Sequence, residues 1–113
     1  MLILYGIKNC DACQKSSKWL EINGFNFTFH DFRKNGLDET ILDTWSDLID
    51  LESCLNRRST SWRKLSESEK SAVNNDLIGS FLLFPTLIKR PVLHSKYSII
   101  LGFDHEKYKM ILK

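Results

Sequence analysis

Cysteine is scarce in this chain, and its number is odd. Only three cysteines occur among 113 residues, which is too few for the paired disulfide framework that staples small secreted domains. Repeats, low-complexity tracts and flexible linkers are missing as well. The apolar share of 42% is that of an ordinary globular protein. We therefore predict a single domain over residues 1–113, large enough to bury a core without disulfides.

Long apolar runs and an excess of either charge are also missing. No stretch approaches the roughly 18 consecutive apolar residues of a membrane helix, and no basic segment followed by an apolar run and a cleavage site is present. We therefore expect a cytoplasmic protein with no membrane association. The formal net charge of +2 gives no reason to expect direct binding of nucleic acid, which requires a strongly basic surface.

The apolar pattern predicts strands near both ends of the chain and helices between them. Three helix signals are clear: Asn23-Gly24 ends one helix, Ser66 opens a capping box, and Asp104 caps a helix near the end. The predicted elements, in order, are a strand at 2–6, a helix at 11–23, a strand at 25–30, helices from 38, from 66 and at 75–84, a hairpin with strands at 91–93 and 97–101 around a turn at 94–96, and a helix from 104.

The order of these elements predicts a fold class. A strand, a helix and a second strand in succession give parallel strands joined by a right-handed crossover, and the later hairpin adds antiparallel strands. The prediction is a mixed sheet in an α/β protein of thioredoxin-like plan. In this plan residues 1–37 and 85–113 form the core, and residues 38–84 form a helical insertion.

The first predicted strand leads into a Cys-x-x-Cys motif, formed by Cys10 and Cys13 at the start of a helix. Unpaired backbone N–H groups and the helix dipole stabilise a thiolate there, lowering thiol pKa values from about 8.5 to roughly 3.5–7.5. Asp11 opposes this effect, whereas Lys15 and Lys18 add to it. We predict that Cys10 is a redox nucleophile. Cys13, one turn further on the same face, is placed to resolve a mixed disulfide.

Two other interpretations of the cysteine pair remain open. A zinc site needs a second pair of ligands, and neither Cys54 nor the three histidines are spaced to supply one, so we expect no metal. Alternatively, the two thiols are small buried residues without chemistry. Cys54, beside leucines in a predicted amphipathic helix, fits a buried structural role better than that of a second resolving thiol.

Longer stretches around these residues resemble the arsenate reductase (ArsC)/Spx family, and most closely its small YffB-like branch. The resemblance covers nearly the whole chain. It is carried, in the family's order, by "YGIKNCDACQKSSKWLEINGFNFTFHDFRKNGLDE", "LNRRSTSWRKL", "LLFPTLIKRPVL" and "ILGFDHEKY". The family has a thioredoxin-like core with a helical insertion, so the resemblance implies the same fold as the apolar pattern.

The resemblance also implies roles for individual residues. The family's reactive thiolate maps onto Cys10, and its anion-binding arginines map onto Arg58 and Arg90, with Arg57 as an alternative register for the first. It further implies a cis Arg90–Pro91 peptide bond. Guanidinium groups suit such a site, because their planar, permanently charged forks hold an oxyanion or a glutathione carboxylate at two points.

The function that these features predict is thiol–disulfide reduction with glutathione or a glutaredoxin as electron donor and no bound cofactor. Either Cys13 or external glutathione resolves the adduct on Cys10, and we expect a monomer. Gly102 takes the place of a third arginine in arsenate-reducing members, so we expect arsenate turnover to be weak or absent. The alternative is a redox-sensing transcription regulator similar to Spx, which has two cysteines in this motif and binds the RNA polymerase alpha subunit.

Overall fold

A computed structural model describes residues 2–112, which form two compact units. The first unit comprises the residues up to Gly36 and those from Arg90 onward, and it contains the four-stranded sheet; the second unit spans Leu37–Lys89 and is helical. The strands are β1 Ile3–Gly6, β2 Thr28–Asp31, β3 Val92–His94 and β4 Ile99–Leu101, and the helices are α1 Asp11–Ile22, α2 Phe32–Asn35, α3 Glu39–Ser46, α4 Thr60–Arg63, α5 Glu67–Asn75, α6 Leu77–Leu83 and α7 His105–Ile111. Among residues 2–112, no helix has both the length and the apolar composition needed to span a membrane.

The sheet of the first unit is mixed, as predicted. Its strand order is β2-β1-β3-β4. Strand β1 runs parallel to β2, whereas β3 is antiparallel to both of its neighbours. The parallel pair is connected through α1 and the last two strands form a hairpin, which together give the thioredoxin-like α/β fold.

One face of the sheet packs against α1 and α7. Leu4 of β1 and Leu93 of β3 lie opposite each other and are fully buried. They share a cluster with Leu20, Ile100 and Tyr108. Burying a side chain of this size contributes about 1.5–3 kcal/mol. The cluster therefore holds α1, and the cysteine motif at its start, firmly against β1.

Strand β2 begins at Thr28, later than predicted, because Gly24 and Phe25 form backbone hydrogen bonds with the end of α1. The N–H of Phe25 donates to the carbonyl oxygen of Leu20 (2.9 Å), and that of Gly24 donates to the carbonyl oxygen of Glu21 (3.1 Å). Gly24 has a φ of 78°, the left-handed conformation that this type of helix end requires. The alternating phenylalanines of this segment therefore reflect packing on the core cluster as well as strand pairing.

The second unit is built from short helices whose starts are capped by side chains. Asp38 caps α3, Asp76 caps α6, and Ser66 forms the predicted capping box of α5 with Glu69. Each cap satisfies a backbone N–H group that has no partner within its helix. The largest fully buried side chains of this unit are Trp45, Phe81, Leu42, Leu55, Leu87 and Ile88.

The predicted amphipathic helix around Cys54 was wrong. Helix α3 ends at Ser46, and Cys54 belongs to a separate 3-10 turn, Leu51–Cys54. Asp50 starts this turn by accepting a hydrogen bond from the N–H of Glu52 (3.1 Å). A local side-chain bond of this kind competes with continuation of the helix.

His94 was predicted to lie in a turn but is the last residue of β3, since it pairs with Ile99 of β4. Its side chain is only 8% exposed, and its ring lies 6.5 Å from that of Tyr5. Burial lowers the pKa of His94 below its ordinary value. The unfolded chain therefore takes up a proton at higher pH than the folded protein does, and folding is weakened as the pH falls through about 6.5.

We expect urea unfolding to show a free energy of unfolding that declines below about pH 6.5, with a smaller decline in His94→Gln. His105→Gln serves as the control, because His105 is exposed, and it should follow the unmodified protein. An unchanged decline in His94→Gln would show that the loss comes from other groups.

Candidate active site

Cys10 lies where the chain turns from β1 into α1. Its N–H donates to the carbonyl oxygen of Ile7 (3.1 Å), and its carbonyl oxygen accepts a hydrogen bond from the N–H of Gln14 (3.0 Å). Cys10 is thus the N-cap of α1, with an extended backbone conformation. Its half-buried thiol stands at the positive end of a 12-residue helix, where orphan N–H groups favour an anion.

Two side chains fix the loop that carries Cys10. The N–H of Lys8 donates to Oδ2 of Asp31 (3.3 Å), at the end of β2, and the amide of Gln14 donates to the carbonyl oxygen of Lys8 (3.1 Å). The loop is therefore tied to β2 on one side and to the first turn of α1 on the other. These bonds position the thiol without burying it in the core.

The surroundings of Cys10 favour its thiolate. Burial by itself raises the pKa of this thiol, but hydrogen bonds from the backbone N–H and the thiol of Cys13 lower it, as do a hydrogen bond from the Arg90 guanidinium and its charge. The balance leaves the pKa of Cys10 below its ordinary value. A lowered pKa is the property that makes a thiol nucleophilic near neutral pH.

Cys13 has the opposite character. Its side chain is 1% exposed. Burial raises its pKa to about 12, and its hydrogen bond to Cys10 and the negative charge there act in the same direction. A protonated Cys13 thiol donates a hydrogen bond to a Cys10 thiolate, so each state supports the other. The pair therefore consists of one thiol that ionises readily and one that stays protonated.

Asp11, the acidic residue next to Cys10, is partly neutralised. Its Oδ2 lies 3.2 Å from Nζ of Lys15, one helical turn away. Both side chains are mostly exposed, so the pair adds little to stability. Its effect is to offset a negative charge that would otherwise oppose the thiolate at the helix start.

Arg90 contacts Cys10 from the segment that leads into β3. The Arg90–Pro91 peptide bond is cis, and the carbonyl oxygen of Pro91 accepts a hydrogen bond from the N–H of Gly102 (2.8 Å). Gly102 has a φ of 76°, which disfavours any residue with a side chain. The backbone conformation therefore explains why position 102 is a glycine, where the resemblance places a third arginine in arsenate-reducing members.

Arg57 and Arg58, which precede α4 in the second unit, differ in their contacts. Arg57 donates to Oε1 of Glu52 (3.3 Å) and lies 5.7 Å from the centre of the Trp62 ring. The exposed side chain of Arg58 makes no hydrogen bond or ion pair within residues 2–112, and only its backbone N–H is bonded, to Asn56. Arg57 is therefore engaged with other residues of its own unit, whereas the Arg58 guanidinium makes no such contact there.

Gly6, at the end of β1, supports the motif and was not predicted as a site residue. A Cβ atom placed on Gly6 would collide with Sγ of Cys13 and would lie 3.7 Å from the ring of Phe29. The absence of a side chain at Gly6 therefore makes room for the buried thiol. A glycine inside an apolar strand, just before the motif, is the sequence signal of such a close approach.

We expect Gly6→Ala to lower the free energy of unfolding by about 1–3 kcal/mol, because overpacking forces the Cys13 thiol or the strand to move. Urea denaturation measures the loss. Adding Cys13→Ala removes the colliding sulfur and should recover most of it. If the losses of the two single variants simply add, the collision is not the cause.

A buried hydrogen bond beyond the motif was also missed. The hydroxyl of Tyr108 donates to Oγ of Ser16 (3.1 Å), and both side chains are fully buried. Burial raises the pKa of Tyr108 to about 12, so its hydroxyl stays protonated. The bond ties α7 to α1 one turn beyond Cys13, and a separation of 92 residues leaves no local sequence signal for it.

The remaining thiol, Cys54, lies in the second unit and is fully buried, as predicted. Burial raises its pKa to about 11, which makes it a poor nucleophile. Within the described part of the chain, no group of three or more His, Cys, Asp or Glu side chains is arranged to hold a metal ion.

The thioredoxin-like sheet and the Cys-x-x-Cys motif at a helix start give the chain the architecture of thiol reductases. Residues 5–111 match the ArsC family. The chain belongs to this family.

Three relatives illustrate the range of similar proteins. The structure of a protein named YffB is 34% identical, with a TM-score of 0.90 and full coverage of both chains. The solution structure of an arsenate reductase (ArsC) related protein from Brucella melitensis is 39% identical, with a TM-score of 0.75, and the match covers 99% of this chain and 94% of that one. The global transcriptional regulator Spx 1 of Lactococcus lactis is 24% identical over 117 residues, covering 99% of this chain and 89% of the relative.

Proposed function

We propose that this protein is a thiol–disulfide reductase that uses glutathione or a glutaredoxin as electron donor, with Cys10 as its nucleophile. The observation that carries the proposal is the contact of Cys10 with the Arg90 guanidinium at the start of α1, where the pKa of the thiol is lowered. A thiolate held in this way is matched to attack on a disulfide sulfur.

The proposed reaction proceeds by thiol–disulfide exchange. The Cys10 thiolate attacks one sulfur of the substrate disulfide, the S–S bond breaks, and the leaving thiolate takes up a proton. Cys13 then loses its proton and attacks Sγ of Cys10, releasing the second substrate thiol and leaving a Cys10–Cys13 disulfide. Two glutathione molecules reduce this disulfide and leave as glutathione disulfide. In a shorter route, one glutathione attacks Sγ of Cys10 in the mixed disulfide and releases the second substrate thiol. A second glutathione then attacks the glutathione sulfur of this adduct, frees the Cys10 thiol and leaves as glutathione disulfide.

The two arginines have separate parts in this proposal. Arg90 stabilises the Cys10 thiolate and, in the adduct, an anionic group of the bound substrate. The resemblance to the ArsC/Spx family implies anion binding by Arg58 of the helical unit as well. Gly102 provides no third one, so disulfide and mixed-disulfide substrates are favoured over arsenate.

A coupled assay tests the proposal. Purified protein is mixed with glutathione, a small mixed disulfide of glutathione, and glutathione reductase with NADPH. We expect protein-dependent NADPH oxidation with the mixed disulfide and little with arsenate. No turnover above the background of glutathione alone would refute the reductase assignment, and robust arsenate turnover would refute the argument from Gly102.

Similarity to a transcriptional regulator named Spx 1 along nearly the whole chain, together with the two-cysteine motif, favours a second candidate function. In that case the Cys10–Cys13 pair is a redox sensor, and its oxidation state controls binding to the RNA polymerase alpha subunit. Binding of the purified alpha subunit to the oxidised and the reduced protein tests this function. Binding in one redox state only, with no reductase turnover, would favour the regulator over the enzyme.

A further inference from the structure

The hydroxyl of Tyr108, on α7, lies inside the core and has two acceptors. It donates to Oγ of Ser16 (3.1 Å) and, at longer range, to the carbonyl oxygen of Gly102 (3.4 Å). The ring that carries it is fully buried and lies edge-on to the rings of Trp19 (5.5 Å) and Phe103 (5.6 Å). Because side chains in a close-packed core have little freedom, the core sets the position of this hydroxyl.

The Gly102 acceptor leads to Arg90. The N–H of Gly102 donates to the carbonyl oxygen of Pro91 (2.8 Å), and Pro91 is a fully buried residue that directly follows Arg90. Gly102 is therefore bonded at its carbonyl oxygen to Tyr108 and at its N–H to the residue after Arg90. These two bonds restrict the backbone from which the Arg90 side chain extends.

The Ser16 acceptor leads to the cysteine pair. Ser16 is fully buried and lies three residues after Cys13 on α1, so the two side chains share one face of the helix. The same helix has Cys10 as its N-cap. Through its hydroxyl, Tyr108 is thus bonded both to the helix of the two thiols and to the backbone beside Arg90.

We propose that Tyr108 is a positioning residue of the candidate site, whose hydroxyl fixes the backbone beside Arg90 relative to α1 and so keeps the guanidinium in contact with the Cys10 sulfur. The inference rests on the proposed function, in which this contact prepares Cys10 for attack. Tyr108 acts indirectly, because the hydrogen bonds and charge that stabilise the Cys10 thiolate come from Cys13 and Arg90.

The chemistry of position 108 favours this role for the hydroxyl. Phenylalanine fills almost the same volume, and burying a hydroxyl has a desolvation cost that its hydrogen bonds offset. Packing alone therefore does not require a tyrosine here. Hydrogen bonds are directional, so two of them restrict how α1 and the end of β4 lie against each other. A displacement of about 1 Å at a reacting group is enough to reduce a rate strongly.

Tyr108→Phe tests the inference through the pH dependence of Cys10 alkylation by iodoacetamide. We expect the midpoint to rise by about half a pH unit to one pH unit, which corresponds to a roughly three- to tenfold loss of thiolate at low pH. The kcat/KM of glutathione-dependent reduction should fall by the same factor at low pH and recover at high pH. Tyr97→Phe is the matched control, because its ring is 76% exposed, and it should leave the midpoint unchanged.

The double variant Tyr108→Phe/Arg90→Ala distinguishes positioning of Arg90 from a general loosening of the core. If the hydroxyl acts through Arg90, Tyr108→Phe should add no further shift to that of Arg90→Ala. Shifts that simply add would show that the hydroxyl acts by another route and would overturn the proposal. An unchanged midpoint in Tyr108→Phe would overturn it as well.

Ser16→Ala provides a second test that leaves the Tyr108 ring in place, and it decides the question if Tyr108→Phe does not fold. Circular dichroism checks the folding of each variant. Because Ser16→Ala removes only the bond to α1, we expect a smaller rise of the midpoint in the same direction. No rise in Ser16→Ala would contradict the proposed link between α1 and Arg90.

The alkylation midpoint is measured without a disulfide substrate, which separates this inference from the proposed function. Turnover with glutathione, together with an unchanged midpoint in Tyr108→Phe, would reject the positioning role and leave the reductase assignment in place. A midpoint that rises in Tyr108→Phe but not further in the double variant, in a protein without turnover, would reject the reductase assignment and leave the positioning role.

Discussion

Replacing Cys10 by serine is expected to reduce glutathione-dependent reductase activity by on the order of a thousandfold or more. The serine hydroxyl stays protonated near neutral pH and cannot form the mixed disulfide on which the reaction depends. The fold should be unaffected, because Cys10 lies at the N-cap and is only half-buried. The measurement is the initial rate in the coupled assay, with circular dichroism as a check of folding.

Cys54→Ser is the matched control for this prediction. It removes a thiol whose burial raises its pKa to about 11 and that lies in the other unit, so the activity of correctly folded protein should remain. Cys13→Ser separates the two routes of resolution. Activity that survives in Cys13→Ser indicates direct attack by glutathione on the Cys10 adduct, and activity that survives in Cys10→Ser would contradict the nucleophile assignment.

Arg90→Ala is expected to reduce the same activity roughly tenfold to a hundredfold. The loss corresponds to a charge-assisted hydrogen bond to the Cys10 thiolate, worth about 1.5–3 kcal/mol. Without the guanidinium the pKa of Cys10 should rise, so the decrease should be largest at low pH and smaller at high pH, where the thiol ionises without help. The pH profile of kcat/KM measures this.

Arg90→Lys tests the geometry of the contact. Lysine keeps the charge but loses the planar fork, so it should recover only part of the activity. Arg57→Ala is a control of equal charge, since Arg57 is engaged with Glu52 and Trp62. Equal activity in Arg90→Ala and the unmodified protein would remove Arg90 from the site.

Much of the fold could be predicted because its signals are local. The apolar run of β1, the helix end at Asn23-Gly24 and the capping box at Ser66 each act over a few residues, and the mixed sheet follows from the order of strands and helices. The errors arose where two local signals compete. Around Phe25, backbone hydrogen bonds at the helix end involve residues that alternate as a strand does. Around Cys54, the predicted helix already ends at Ser46, and Asp50 starts a separate 3-10 turn.

The candidate site also combines features that have local sequence signals with features that depend on residues distant in sequence. The position of Cys10 at a helix start could be predicted, since the apolar run of β1 lies just before it and the helix end at Asn23-Gly24 defines the helix that follows it. The clearance that Gly6 gives to Cys13, and the contact of Arg90 with Cys10, depend on strands that are distant in sequence. The resemblance to the ArsC/Spx family suggested Arg90, whereas the role of Gly6 needed the structure.

The most direct test of this account is the pH dependence of Cys10 alkylation by iodoacetamide, followed by mass spectrometry of the peptides that contain Cys10 and Cys13. We expect Cys10 to react first, with a midpoint below the ordinary thiol value of about 8.5, and Cys13 to resist alkylation over the same pH range. Equal labelling of both thiols, or a Cys10 midpoint at or above the ordinary value, would contradict it.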